Sequence, residues 1–202
     1  MRQFFAFLLL LAPLISSASP EEDLLRYLAS IEGLSGNFEQ TQAASGAEQA
    51  SMFSEGQFAV LKGGYFSWSI ESPDRQRIVA NQEYLWHHDL DLETVTRRPV
   101  GALGDMSPLQ VLGGDLQQLR QDYSITSAGA GQFVLTPNYA NPSFQSLSLG
   151  FQSGVIAQMS ILDKLDQRIE ISFSNLDDGA GLSPADFDFQ PPEGVDLFYY
   201  DE

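Results

Sequence analysis

Cysteine is absent from the 202 residues, and cationic side chains are scarce: ten Lys and Arg stand against 27 Asp and Glu, giving a formal charge of −17 and a pI near 4.2. Without cysteine there is no disulfide framework, so the fold must rest on an ordinary apolar core. The missing basic patch excludes a nucleic-acid partner, because nothing gathers positive charge against phosphate. The same acidity opposes adsorption to an anionic membrane surface. Histidine occurs only as the adjacent pair His87 and His88. On a strand these point to opposite faces, a poor arrangement for joint metal binding. Beside them, Asp89, Asp91 and Glu93 read as a solvated turn rather than converging ligands. Nucleophile-elbow, zinc-helix, phosphate-loop and dinucleotide-loop patterns are all missing. No nucleophile stands with a base, so no catalytic residue, cofactor or metal is expected.

Long apolar runs are also missing, with one short exception. Arg2, the apolar run from Phe4 to Ile15 and the small residues Ser16, Ser17 and Ala18 read as a signal peptide over residues 1–18. That run is broken by Pro13 and falls short of the roughly 20 residues a spanning helix needs. The expectation is an exported chain with one domain over residues 19–202, one unit more negative once Arg2 is gone. It has no cysteine after the cleavage site to carry a lipid of its own.

An apolar content of 43% suffices for one sizeable core, and 18% charged residues argue against disorder. SPEEDLLRYLASIEG reads as a helix, with Ser19 as N-cap, Pro20 in the first turn, Glu22 completing a capping box and Gly33 as a stop. Leu24, Leu28 and Ile31 make its apolar stripe. Strands are expected at 37–42, 51–62, 64–71, 75–80, 83–88, 93–98, 122–126, 131–137, 144–151, 155–163 and 166–174, with Phe187 and Phe189 hinting at one more. Between them, MSPLQVLGGDLQQLRQ gives two short helices, starting at Ser107-Pro108 and at Asp115, with Leu109, Val111, Leu112, Leu116 and Leu119 as their apolar residues. The fold class is mainly β with an α lid: one large antiparallel sheet of about eleven strands that curls or closes, with three short helices over its concave side.

In YFSWSI, alternation places Phe66, Trp68 and Ile70 on one face. Tyr84 and Trp86 on a later strand are grouped with them. Such a face is either plain core or the wall of a cavity, and three small helices are few to fill a wide concavity.

The run GQFAVLKGGYFSWSIESPDRQRIVANQEYLWHHDLDLETVT resembles the core signature of the periplasmic outer-membrane lipoprotein carrier family, LolA. There a Gly-x-Leu strand, Arg-Pro, an aromatic-x-Trp and a Leu-Trp-aromatic hairpin follow in this order. The likeness continues through Asn37-Phe38-Glu39-Gln40, Ser107-Pro108, the Phe133 to Pro137 strand, the Asp163 to Phe173 hairpin and Pro191 to Asp196. It implies an unclosed eleven-stranded barrel with a three-helix lid, and a periplasmic, monomeric, non-enzymatic shuttle. Such a shuttle accepts lipoproteins from an inner-membrane ABC transporter complex, shields their acyl chains and delivers them to an outer-membrane lipoprotein receptor. On this reading Phe66, Trp68, Ile70, Tyr84, Trp86, Leu24, Leu28, Leu109 and Leu112 line the acyl-chain site. A carrier of another lipid or glycolipid with the same fold is the alternative. This chain has Lys62-Gly63 where the family usually has Arg-Pro. Lys62 is expected to latch the lid, reaching a carbonyl or carboxylate on a lid helix, first of all the one from Ser107 to Leu112, without arginine's planar fork.

Overall fold

The computed structural model describes residues 19–43, 51–100, 111–178 and 181–200. The expected signal peptide, Leu109 and most of the helix expected from Ser107 lie outside the described residues. Helix α1 (Pro20–Ala29) begins where its capping box dictates: the Ser19 hydroxyl accepts the Glu22 N–H and the Glu22 carboxylate accepts the Ser19 N–H, each at 3.2 Å. Glu21, Glu22 and Asp23 occupy its first turn and Arg26 its last, which suits the helix dipole. Leu24, Leu25 and Leu28 are buried.

The strands are β1 (Gly33–Ala43), β2 (Met52–Leu61), β3 (Tyr65–Ser72), β4 (Gln76–Ala80), β5 (Tyr84–Asp89) and β6 (Thr94–Pro99). After α2 (Leu116–Asp122) come β7 (Tyr123–Gly129), β8 (Gln132–Pro137), β9 (Phe144–Gln152), β10 (Val155–Asp163) and β11 (Arg168–Asp177). A 3₁₀ turn at Pro184–Phe187 and β12 (Asp196–Tyr199) complete the described chain. They form one twelve-stranded sheet in the order β12-β6-β5-β4-β3-β2-β1-β11-β10-β9-β8-β7. Two antiparallel meanders are thus joined where β1 pairs with β11. Among the described strands only β12 runs parallel to its neighbour, β6. The edge strands β12 and β7 do not meet, so the sheet is unclosed.

Each of the eleven expected strands is present, β1 beginning earlier, at Gly33. The twelfth strand differs from expectation: Phe187 lies in the 3₁₀ turn and the pairing segment is Asp196–Tyr199. Two α-helices rather than three are found among the described residues. A flat twelve-stranded sheet would be roughly 50 Å wide at the usual strand spacing, beyond what two short helices cover. Yet Phe38, Phe58 and Trp68 from one meander and Phe133, Leu147 and Met159 from the other share one buried core. The sheet therefore curls, and the helices close the inside of the curl.

Register separates the two faces. Trp68 pairs with Ile78 and Ile78 with His87, while Ser67 pairs with Val79, Val79 with Trp86 and Trp86 with Arg97. Paired residues share a face. Phe66, Trp68 and Ile70 are therefore on the helix-covered face with Ile78, Ala80 and Leu85, whereas Tyr84 and Trp86 are on the back. The grouping of Tyr84 and Trp86 with Phe66 and Trp68 is corrected here, because the β4–β5 hairpin brings the other parity of β5 into line. The back of β3 to β6 has a small core of its own, closed by residues 181–200. Phe187 is buried 5.7 Å from the Tyr65 ring, and Phe189 lies 5.4 Å from Trp86. The Arg97 guanidinium sits 4.3 Å from the Tyr84 ring and 4.5 Å from Tyr199, a cation–π contact that ties β12 to the sheet.

Candidate functional site

The inner face is continuous and apolar. Trp68 is stacked on Phe38, with centroids 3.6 Å apart, and tilted against Phe58 at 6.1 Å. Gly56 permits that closeness: a Cβ there would meet the Ser69 carbonyl oxygen at 1.9 Å and the Phe38 ring at 3.0 Å. From α1, Leu24 and Leu28 press onto this face, and Tyr27 stacks on Phe151 at 4.7 Å. Leu112, just ahead of α2, is buried in the same core. Of the expected site residues, then, Phe66, Trp68, Leu24, Leu28 and Leu112 come together, with Ile70 half-buried at their margin. Phe38, Phe66 and Trp68 are 1%, 2% and 4% exposed, so in this state the face is filled by its own side chains.

The cover is held at one rim of the sheet by backbone. The Gly63 and Gly64 N–H groups, in the β2–β3 turn, both donate to the Gly113 carbonyl at 3.1 Å. The two glycines have φ of +99° and +88°, a region that suits glycine. A proline at 63 could neither take that φ nor donate. Gly113 itself lies so close that a Cβ would be 3.1 Å from the Leu61 carbonyl oxygen. The Lys62 ammonium reaches Glu32, 2.6 Å away just beyond α1, and both side chains are exposed. That carboxylate follows α1 and lies on no lid helix, and most of the helix expected first, from Ser107 to Leu112, lies outside the described residues. The clasp was missed in the sequence because its bonds are main-chain. Its trace is the pair of double glycines, Gly63-Gly64 and Gly113-Gly114.

Ion pairs join the cover to itself: Arg120 of α2 lies 3.2 Å from Glu21 of α1. The α2 cap is Asp115, whose carboxylate accepts the Gln117 N–H at 2.7 Å. In the acidic turn beside the histidines, the Arg75 N–H and then its guanidinium hold the Asp91 carboxyl below the usual carboxylate range. His87 faces inward, its Nε2 3.1 Å from the Gln76 Oε1. Burial lowers its pKa, opposed by Asp89 and helped by Arg98 and His88. His88, on the back near Phe189, is lowered by burial against the pull of Asp89, with Arg77 also lowering it.

A curled, unclosed antiparallel sheet with one apolar face under helices defines a class of half-open barrel. The fold is shared, at 11% identity and a TM-score of 0.50, with a DUF1329 family protein from Desulfovibrio piger, covering 84% of this chain and 95% of that one. Residues 29–190 match the family described as outer membrane lipoprotein carrier protein LolA. An outer-membrane lipoprotein carrier protein from Coxiella burnetii is 30% identical over 201 residues, 95% of this chain and 92% of that protein. One from Alkalilimnicola ehrlichii is 32% identical over 187 residues, 91% and 86% of the two chains. One from Azotobacter vinelandii is 34% identical over 145 residues, 70% of each. The chain belongs to the LolA family of outer-membrane lipoprotein carrier proteins.

Proposed function

We propose that this protein is a periplasmic carrier that shields the acyl chains of lipoproteins against its inner face and delivers them to the outer membrane. Residues 1–18 are read as its export signal and residues 19–202 as the carrier domain. The observation that carries the reading is the continuous face of Phe38, Phe58, Phe66 and Trp68 under a cover clasped at the Gly63–Gly64 turn, in a chain of this family. Each methylene kept from water is worth about 0.8 kcal/mol, so acyl chains need a shield between membranes. Acyl chains entering this site part the stacked rings and lift α1 and the segment from Val111 to Gly114, which exchanges one apolar contact for another. A grip without directional bonds lets them leave for a better site. An inner-membrane ABC transporter complex would load the carrier, an outer-membrane receptor would unload it, and no catalytic step is involved. Among the described residues no helix is long and apolar enough to cross a membrane.

Glutamate at Trp68 places a carboxylate where nothing pairs with it, at a cost of several kcal/mol or forced neutrality. Trp68→Glu is expected to abolish release of lipoproteins from inner-membrane spheroplasts. Ile70→Glu, at a half-buried position, is expected to weaken release while leaving a folded protein by thermal melting. Full release by both folded variants would remove the inner face from the cargo path.

A further inference from the structure

The two edges of the sheet are built differently. Edge strand β7 exposes Ser124, Thr126, Ser127 and Ala128 and ends at Gly129, small and polar residues that give another strand little to pack on. At the opposite edge, β12 exposes Leu197, Phe198 and Tyr199, with Tyr200 beyond them, at 42% to 63%. Pairing with β6 decides where each points. Leu197 is opposite Val95 and Tyr199 opposite Arg97, on the back, while Phe198 is opposite Thr96, on the inner side. Both faces of this edge are therefore apolar. Its main chain is open as well. The Asp196 N–H donates to the Glu93 carbonyl and the Tyr200 N–H to the Arg97 carbonyl, each at 2.9 Å, so the even-numbered residues bond inward to β6. Alternation turns the N–H and carbonyl groups of Leu197 and Tyr199 outward, where no strand among the described residues pairs with them.

Charge at the two ends of the strand narrows the occupant. Exposed Glu193 and Asp196 stand at its start, and Asp201 and Glu202 follow Tyr200 in the sequence. The nearest cations by pairing, Arg97 and Arg98, lie on β6, one strand further in. A second copy pairing antiparallel through β12 would centre on Phe198, which sets the acidic start of each strand against the acidic residues that follow Tyr200 in the other. Like charges so placed repel, in a chain that already carries −17. The acidic ends likewise oppose an anionic lipid surface. A strand with Lys or Arg at both ends meets opposite charge at both, and it covers Leu197 and Tyr199 on one face and Phe198 and Tyr200 on the other.

We propose that β12 is a docking edge for an extended segment of another protein, with alternating apolar residues and Lys or Arg at both ends, which adds to the sheet as a further strand. Main-chain bonds to Leu197 and Tyr199 supply the grip, and the end charges select the partner. The edge is separate from the inner face, so its failure leaves the carrier reading standing. The test uses the mature protein and the peptide Lys-Lys-Val-Thr-Val-Thr-Val-Lys-Lys, with a second peptide carrying Glu in place of every Lys. The lysine peptide is expected to bind at least about tenfold more tightly than the glutamate peptide at low salt, and to slow hydrogen exchange at the Leu197 and Tyr199 amides. Leu197→Pro removes an outward N–H and no bond to β6, so it is expected to keep the wild-type melting temperature and lose the peptide. Asp196→Lys is expected to weaken binding of the lysine peptide and strengthen that of the glutamate peptide. No binding, equal binding of the two peptides, or binding that leaves both amides exchanging as before would overturn the proposal. So would a dimer in analytical ultracentrifugation that Leu197→Pro dissolves, which would give the edge to a second copy.

Discussion

Lys62 directs its charge to Glu32, while the two glycines after it fasten the cover through their N–H groups. These are separable devices with different strengths. The ion pair is exposed on both sides, and pairs of this kind contribute about 1 kcal/mol or less. The backbone bonds also fix a turn that only glycine takes without strain. Lys62→Leu is therefore expected to lower the melting temperature slightly and to leave hydrogen exchange at the Gly63 and Gly64 amides near wild type. Gly113→Ala, which crowds the Leu61 carbonyl oxygen, is expected to speed it. Rapid exchange of both amides in Lys62→Leu would show instead that the ammonium carries the latch. At this scale alternation made Phe66 and Trp68 legible, since one strand suffices to tell its own two faces apart. Tyr84 and Trp86 were not, because their side of the sheet depends on hairpin register, which brings Val79 opposite Trp86.

Among the elements, β5 shows how one strand serves both faces: Leu85 and His87 turn inward, and Tyr84, Trp86 and His88 turn to the back. Both histidines are held neutral by burial, with folded pKa values below the usual imidazole value of about 6.5. In the window between, the unfolded chain binds protons that the folded protein does not, so stability rises with pH there. Their contribution is complete above about pH 6.5 and declines as pH falls from there through the folded pKa values. Asp91 and Asp186, held low by Arg75 and by the Ser183 N–H respectively, act only in the acid range below that window. Thermal melts are expected to show stability falling between about pH 7 and pH 5. The double variant His87→Gln, His88→Gln should flatten that slope, and an unchanged slope would place its origin elsewhere. The α1 start was readable to the residue because Ser19, Pro20 and Glu22 satisfy N–H groups locally. Strand β12 was not, since its four residues are all exposed and it is placed by Arg97 against Tyr199 and by pairing with β6, both remote in sequence.

The molecule as a whole is an apolar face folded shut on itself, with a small separate core behind it under the C-terminal segment. Composition announced a single core without disulfides, and strand spacing announced a large sheet; the curl and the closed inner face are properties of how the two meanders meet at β1 and β11. The closed state explains how so apolar a surface stays out of water, since the Trp68 and Phe38 rings cover one another. The most direct measurement is mass spectrometry of whatever copurifies with the protein captured from the periplasm under native conditions. The account predicts acylated N-terminal lipopeptides or intact lipoproteins, lost together from the Trp68→Glu protein. Recovery of glycolipid or phospholipid alone, in amounts equal to the protein, would contradict it.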